Sequence, residues 1–309
     1  MSKYKVLWFD DEHEELEIIK DDALLNEIEL VGVNNAMDGL EKLDSQPFMY
    51  DAVILDGLFF LDNSNTGDAV NQAAFGKVAK KLRSLKDTGT VIPWFIFSGQ
   101  PSFVKETHIL VDVLSDKDFS NGKVFDKSKD EDFEELCKEI IKASNEITTT
   151  RIKHKYFKAF KVFDNDIIDI KYRQILIEIL ACLEMNDYKK KNLNTIRDLL
   201  EAIFLTLTYE YECIPESFIN NRGNPNHQWC SLFFAGVNVD LRDGSGKTFK
   251  IPFKIPSNIS SSITYIKEMS NGFSHINDHD IVKNAYISST YSILEVLEWL
   301  PGFIDENFE

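Results

Sequence analysis

The stretch Asp51-Ala52-Val53-Ile54-Leu55-Asp56 decides the fold. Four apolar residues in a row are too few for a helix, and with an acid on each side they predict a buried strand of a sheet covered on both faces. Its last residue, Asp56, then stands at the carboxyl edge of that sheet, where open α/β folds place their chemistry.

Working outward, the pattern repeats. Upstream, Lys5-Val6-Leu7-Trp8-Phe9 is a second short apolar run that ends in acids, Asp10-Asp11-Glu12. Between the two runs lie a helical stretch carrying Leu16, Ile19, Ala23, Leu24 and Ile28, a weak strand over Leu30–Val33, and a helix over Ala36–Leu43. Downstream, Gly57-Leu58-Phe59-Phe60-Leu61 enters the turn-rich Asp62–Gly67. A helix over Asp68–Leu85 and a strand over Val91–Phe97 that ends at Ser98-Gly99 come next. A helix around Val104–Val113, a strand Lys123-Val124-Phe125 that ends at Asp126-Lys127, and an amphipathic helix over Asp132–Ile147 complete the half. Strands alternating with helices predict an α/β, doubly wound, five-stranded parallel sheet with right-handed crossovers.

Composition bounds the rest. The chain has 309 residues, 43% hydrophobic and 28% charged, enough for two domains with separate cores. No apolar run approaches the roughly 20 residues that cross a bilayer, and the N-terminus reaches acids before a signal-peptide core forms, so a cytoplasmic protein without membrane attachment is expected. Cys137, Cys182, Cys213 and Cys230 are scattered and include no CxxC pair, which points to reduced packing residues. Net charge is −17; residues 1–150 hold 16 basic against 30 acidic residues, and residues 151–309 hold 18 against 21. Neither half has the basic surplus that binding to nucleic acid phosphates needs, so DNA is not an expected partner. The run Arg151, Lys153, His154, Lys155, Lys158, Lys161 is read as a solvated helix face.

The strand ends share a chemical logic. A carboxylate attacks a phosphoryl group only if the negative charge of both is offset, which a divalent cation held by neighbouring carboxylates can do. Asp10, Asp11 and Asp56 offer the oxygen ligands that Mg²⁺ prefers. Lys127 would pair with one phosphoryl oxygen and Ser98 would donate a hydrogen bond to another.

An acid pair after strand 1, Asp after strand 3, Ser followed by a small residue after strand 4 and Lys after strand 5 resemble the receiver domain of two-component response regulators, a flavodoxin-like fold. The resemblance covers about residues 3–148, and the 45-residue interval from Asp11 to Asp56 is close to that family's. It implies Asp56 as phospho-acceptor, Asp10, Asp11, Asp56 and Leu58 as the Mg²⁺ set, Ser98 as switch hydroxyl, Lys127 as the site lysine, and a sensor histidine kinase or phosphotransfer protein as partner. Three features depart from the family. The interval from Asp56 to Ser98 is long, Ser128 replaces a proline that often follows the lysine, and Val124 occupies a position where an aromatic is common, with Phe125 one residue off.

The expected domains are 1–148, the receiver, and 149–309, an α-helical output domain with a β-hairpin near 237–253. The junction Ile147-Thr148-Thr149-Thr150 reads as a short linker before a helix over Arg151–Phe163. Ile167–Glu184 and Leu193–Tyr211 read as core helices, with Lys189-Lys190-Lys191 as the turn between them. Cys213–Ser262 reads as loops and strands, with Val237–Leu241 and Thr248–Phe253 flanking the hairpin turn Asp243-Gly244-Ser245-Gly246. Gly246-Lys247-Thr248 is not a phosphate loop, because Leu241 stands where the first glycine belongs and a strand follows. Helices over Ser262–Met269 and Asp280–Leu300 close the chain. The strings IRDLLEAIF, NGFSH and LEVLEWL together resemble HEPN-type helical domains. That resemblance implies Asn271 and His275 as candidate site residues, with Arg197 a distant candidate partner; nuclease members place an arginine or polar set a few residues before the histidine, and Glu268 to Ser274 contains no arginine, so Asn271 and His275 match only the remainder. His275 and His279 are four apart, yet the Asn-Gly and Asn-Asp around them indicate a helix break rather than a metal face. The expected output is protein binding, with a homodimer as a further partner; the alternatives are a receiver-regulated HEPN-like RNase and a receiver that no longer takes phosphate and serves as a docking module.

Overall fold

The central strand forms where its sequence puts it: β3, Ala52–Leu55, has all four side chains buried. In this computed structural model, which describes residues 4–57, 59–62, 72–87, 90–99, 119–189, 191–241, 246–272 and 282–308, β3 lies between β1 (Tyr4–Phe9) and β4 (Trp94–Ser98). Outside β1 runs β2 (Ile28–Val33), and outside β4 runs β5 (Phe119–Asp126). The sheet order is therefore β2-β1-β3-β4-β5, and every pairing is parallel. This is a doubly wound flavodoxin-like sheet whose strand order reverses between β1 and β3, the place where such sheets open a crevice at their carboxyl edge.

Period-two alternation assigns each strand's side chains to a layer. Leu7, Phe9, Val53, Leu55, Trp94 and Ile96 face α2 (Ala36–Ser45) and α3 (Gln72–Asp87), whose Leu43, Phe75, Val78 and Leu82 complete that core. Val6, Trp8, Ala52, Ile54, Phe95 and Phe97 face the other layer. There Ala23 of α1 (Glu17–Leu25) and Leu136, Cys137 and Ile140 of α4 (Asp130–Glu146) pack against them. Gly39 lets α2 approach closely: a Cβ there would sit 2.0 Å from the Phe9 ring.

The chain divides into two compact units, Met1–Arg151 and Ile152–Glu309. The boundary falls inside α5 (Thr148–Lys155), which α6 (Phe157–Asp164) follows. The second unit is mainly helical, with α7 (Arg173–Glu184), α8 (Lys191–Tyr209), α9 (His227–Phe234), α10 (Ser257–Gly272) and α11 (Val282–Asn307). Ile196, Leu199, Leu200, Ile203, Phe204 and Leu207 form the buried face of α8. The Tyr286 hydroxyl ties α11 to α7 by donating to the Ile179 carbonyl at 2.8 Å.

Several boundaries differ from the sequence expectation, each for a local reason. The first helix ends at Leu25, and Ile28 belongs to β2, because Glu27 takes a left-handed backbone (φ 62°) that breaks the helical period. Strand β4 begins at Trp94 rather than Val91, since Pro93 has no N–H to give a ladder and contributes only its carbonyl, to the Val53 N–H at 2.9 Å. The threonines 148–150 are helical; only Ile147 is extended (φ −85°, ψ 122°). The start of the Ile167–Glu184 segment is not α-helical: the α-helix begins at Arg173, after a 3₁₀ turn over Ile170–Tyr172 that the Asp169 side chain caps. Within Cys213–Ser262, read as loops and strands, lies α9, capped by the Asn226 side chain on the Trp229 N–H at 3.1 Å, and α10 begins early, at Ser257. Among the described residues the hairpin pairs Val239–Asp240 (β6) with Thr248–Phe249 (β7), and the Leu241 N–H donates to the Lys247 carbonyl at 3.0 Å; Pro252 cannot donate to an extension. Helix α11 continues through Pro301 to Asn307, with Phe303 and Ile304 buried beyond the missing donor. The expected helix over 104–113, the 63–67 loop, the 243–245 turn, Lys190, His275 and His279 lie outside the described residues. No helix among the described residues is long and apolar enough to cross a membrane.

Candidate functional site

Parallel pairing brings the carboxyl ends of β1, β3, β4 and β5 to one edge, and the predicted site residues of the first unit follow from that register. Phe9 pairs with Leu55, so Asp10 and Asp56 emerge side by side. The Asp10 N–H donates to the Val33 carbonyl at 3.0 Å and the Asp56 N–H to the Phe9 carbonyl at 2.9 Å, which extends both ladders by one residue. On the other side Ser98 pairs with Asp126, and the Lys127 N–H donates to the Ser98 carbonyl at 3.0 Å.

The side chains converge. Lys127 Nζ donates to Asp10 Oδ2 at 2.6 Å and to Asp56 Oδ2 at 2.9 Å. Asp10, Asp11 and Asp56 each present a carboxylate oxygen, all within 4.8 Å of one another. Asp10 is fully buried, and its Oδ1 accepts from the Glu12 N–H at 3.0 Å, which turns the chain so that Asp11 faces the cluster. Asp56 Oδ1 accepts from the Gly57 N–H at 2.5 Å. Beyond it the chain is clamped to the start of α2: Ala36 and Met37 donate to the carbonyls of Phe60 and Leu61 at 2.9 and 3.1 Å. Phe59 packs on Phe9 at 5.5 Å between ring centres. Ser98 is 2% exposed and hydrogen-bonds to the Asp56 carboxylate. Leu58 lies outside the described residues.

Three carboxylates and one ammonium leave excess negative charge in a partly dry site. Burial pushes the Asp56 carboxyl above its ordinary value; Lys127 opposes that shift and Asp10 adds to it. Burial likewise raises Asp11, its own backbone bond opposes, and Asp10 and Asp56 add repulsion. Burial works against the Lys127 charge, but the attraction of Asp56 and Asp10 outweighs it and raises the ammonium. An all-oxygen set with more negative charge than its lysine neutralises fits a hard divalent cation such as Mg²⁺.

Of the C-terminal candidates, the structure describes Asn271 and Arg197. Asn271 is exposed in the last turn of α10, and His275 lies outside the described residues. Arg197 is engaged elsewhere, donating from Nε to Glu201 Oε1 at 3.0 Å. That same oxygen lies 2.7 Å from Nε2 of His227, a residue 9% exposed at the start of α9. Sequence reasoning missed His227 and Glu201; the signals were the Asn226 cap before an apolar run and the i,i+4 spacing of Arg197 and Glu201. It also missed Asp126 as a structural element of the β5–α4 turn, although Asp-x-Ser is a known turn signal.

No family model and no curated protein matches this chain. Among solved structures it is similar to the receiver domain of Francisella response regulator 1452, at 16% identity and a TM-score of 0.31, over 46% of this chain and 98% of that one.

Proposed function

We propose that residues 1–148 act as a receiver domain and that Asp56 is the phospho-acceptor of a response regulator. The observation that carries this reading is the meeting of Asp10, Asp11, Asp56 and Lys127 at the carboxyl edge of a β2-β1-β3-β4-β5 sheet. A carboxylate oxygen of Asp56 attacks the phosphorus of a phosphohistidine on a sensor kinase or phosphotransfer protein. The P–N bond breaks as the acyl phosphate forms, and the imidazole leaves. Asp10, Asp11 and Asp56 would hold Mg²⁺, which when bound offsets the charge of carboxylates and phosphoryl oxygens. Lys127, already at Asp56, pairs with a phosphoryl oxygen of the product, and the Ser98 hydroxyl donates to another. That rearrangement pulls on the ends of β4 and β5, whose backbones are joined by the bond from Lys127 to Ser98. Residues 149–309 serve as a helical output domain that binds a protein partner. Support for this comes from the excess of acidic residues, which disfavours nucleic acid.

The test is to incubate the chain with acetyl phosphate, with and without Mg²⁺, and to measure intact mass. A Mg²⁺-dependent phosphate adduct in the wild type that is absent from Asp56→Asn is expected. No adduct, where a known receiver is labelled in parallel, overturns the reading.

A further inference from the structure

A lysine that must hold two carboxylates and later a phosphoryl group needs a fixed backbone beneath it. Its four-carbon side chain has several rotatable bonds, so any looseness at its Cα spreads at the ammonium. The turn after β5 has no proline to stiffen it; the sequence is Asp126-Lys127-Ser128-Lys129. Beyond the Lys127 N–H bond to the Ser98 carbonyl, the Asp126 side chain closes the turn. Asp126 Oδ1 accepts both from the Ser128 N–H at 2.9 Å and from the Ser128 hydroxyl at 2.7 Å, a short-range ring that closes around Lys127. Asp126 Oδ2 is 3.2 Å from Lys129 Nζ. The backbone of Asp126 is also held at both polar groups: its N–H donates to Asp132 Oδ2 at 2.9 Å, and its carbonyl accepts from the Lys129 N–H at 3.1 Å.

Asp126 is 7% exposed, although three of the next four residues are charged and the chain is leaving the sheet. Its carboxyl lies below the ordinary value, first because of the hydroxyl and backbone bonds from Ser128, with Lys129 adding to them. The carboxylate thus spends both oxygens on the turn, while Lys127 Nζ spends its bonds on Asp10 and Asp56.

We propose that Asp126 is a positioning residue for Lys127: its carboxylate closes the 126–129 turn and so aims the Lys127 ammonium at Asp10 and Asp56. The function assigned to that aim rests on the phosphorylation reading above; the aim itself does not. Asp126 touches no reacting atom. Its role is that of a built-in brace in a turn that lacks a proline.

Two measurements on the full chain test this. The first is labelling of Asp56 by acetyl phosphate in the wild type, Asp126→Ala, Lys127→Ala and the double variant. Asp126→Ala is expected to slow labelling by between about tenfold and a hundredfold, and to add nothing in the Lys127→Ala background. Asp126→Asn keeps the acceptor oxygen for Ser128 and is expected to recover most of the rate. Equal slowing by Asp126→Ala with and without Lys127, or no slowing, overturns the proposal. The second measurement needs no phosphorylation. In ¹⁵N-lysine-labelled protein, the Lys127 ammonium resonance, assigned by its loss in Lys127→Arg, is visible when slow exchange accompanies a fixed ion pair. It is expected to disappear in Asp126→Ala and to persist in Asp126→Asn; persistence in Asp126→Ala overturns the proposal. If the wild type takes no phosphate yet this pattern holds, the positioning stands and the phosphorylation reading fails. Should Asp126→Ala not fold, Ser128→Ala replaces it, with a smaller slowing and a weakened resonance expected; an unchanged rate and resonance there overturn the proposal.

Discussion

Asp11 and Asp56 both have carboxyls raised by burial, so the folded chain favours their neutral forms. The sign follows: their contribution to stability is present below the ordinary carboxylate value of 3.8 and is lost as pH rises through the higher folded values. At neutral pH the ionised cluster is a cost that the fold carries, as sites built for charged ligands often do. Asp11→Asn should therefore raise the melting temperature in the absence of Mg²⁺ and abolish the rise that Mg²⁺ produces. The wild type should gain up to about 2.7 kcal/mol at a hundredfold excess of Mg²⁺ over its Kd. That gain should shrink as pH falls, and the decline should begin at a higher pH than for ordinary carboxylates, because burial raises both acids and they take up protons early. Thermal melts in a pH and Mg²⁺ series check all three. Lys127→Ala works in the opposite direction: removing the ammonium from buried Asp10 and Asp56 should lower stability by about 3–5 kcal/mol without Mg²⁺.

At the scale of elements, the sheet was legible because short apolar runs ending in acids have one physical reading, and the register then placed Asp10, Asp56, Ser98 and Lys127 at one edge without further information. Boundaries were less legible where a single backbone conformation decided them. Nothing in the period of Leu24 and Ile28 announces that Glu27 turns left-handed, and the helical threonines 148–150 have side chains that usually argue against a helix. The second unit was read less well because its polar contacts join residues far apart in sequence. The bond between His227 and Glu201 spans 26 residues and ties α9 to α8, and no local pattern signals it. The His227 bond is the leading reason the Glu201 carboxyl lies below its ordinary value, with burial opposing and Arg197 adding to the shift. Its stabilisation is accordingly present above the unfolded carboxylate value and lost as pH falls through the lowered folded one. His227→Ala should cost about 1–3 kcal/mol in urea unfolding at neutral pH, because the half-buried Glu201 carboxylate keeps Arg197 but loses its His227 bond, and less at acid pH.

At the scale of the molecule, two separately packed units share one chain, and their cysteines report on them independently. Burial raises the thiols of Cys137, in the first unit, and of Cys213 and Cys230, in the second, to about 12. None of the three should react with a thiol reagent at pH 8 until its unit opens, whereas Cys182, half-buried and less shifted, should react first. Mg²⁺ should slow modification of Cys137 and leave that of Cys213 and Cys230 unchanged, as mass spectrometry of timed samples would show; equal slowing of all three would mean that the units open together. The proposed function rests on one acid at the end of one strand, Asp56 after β3. The most direct measurement is reductive trapping with borohydride after acetyl phosphate treatment, followed by peptide mass spectrometry, which converts an aspartyl phosphate to homoserine at the labelled position. The account predicts homoserine at residue 56 and nowhere else, dependent on Mg²⁺. Trapping at Asp10 or Asp11 instead, or none at all beside a receiver that is trapped, would contradict it.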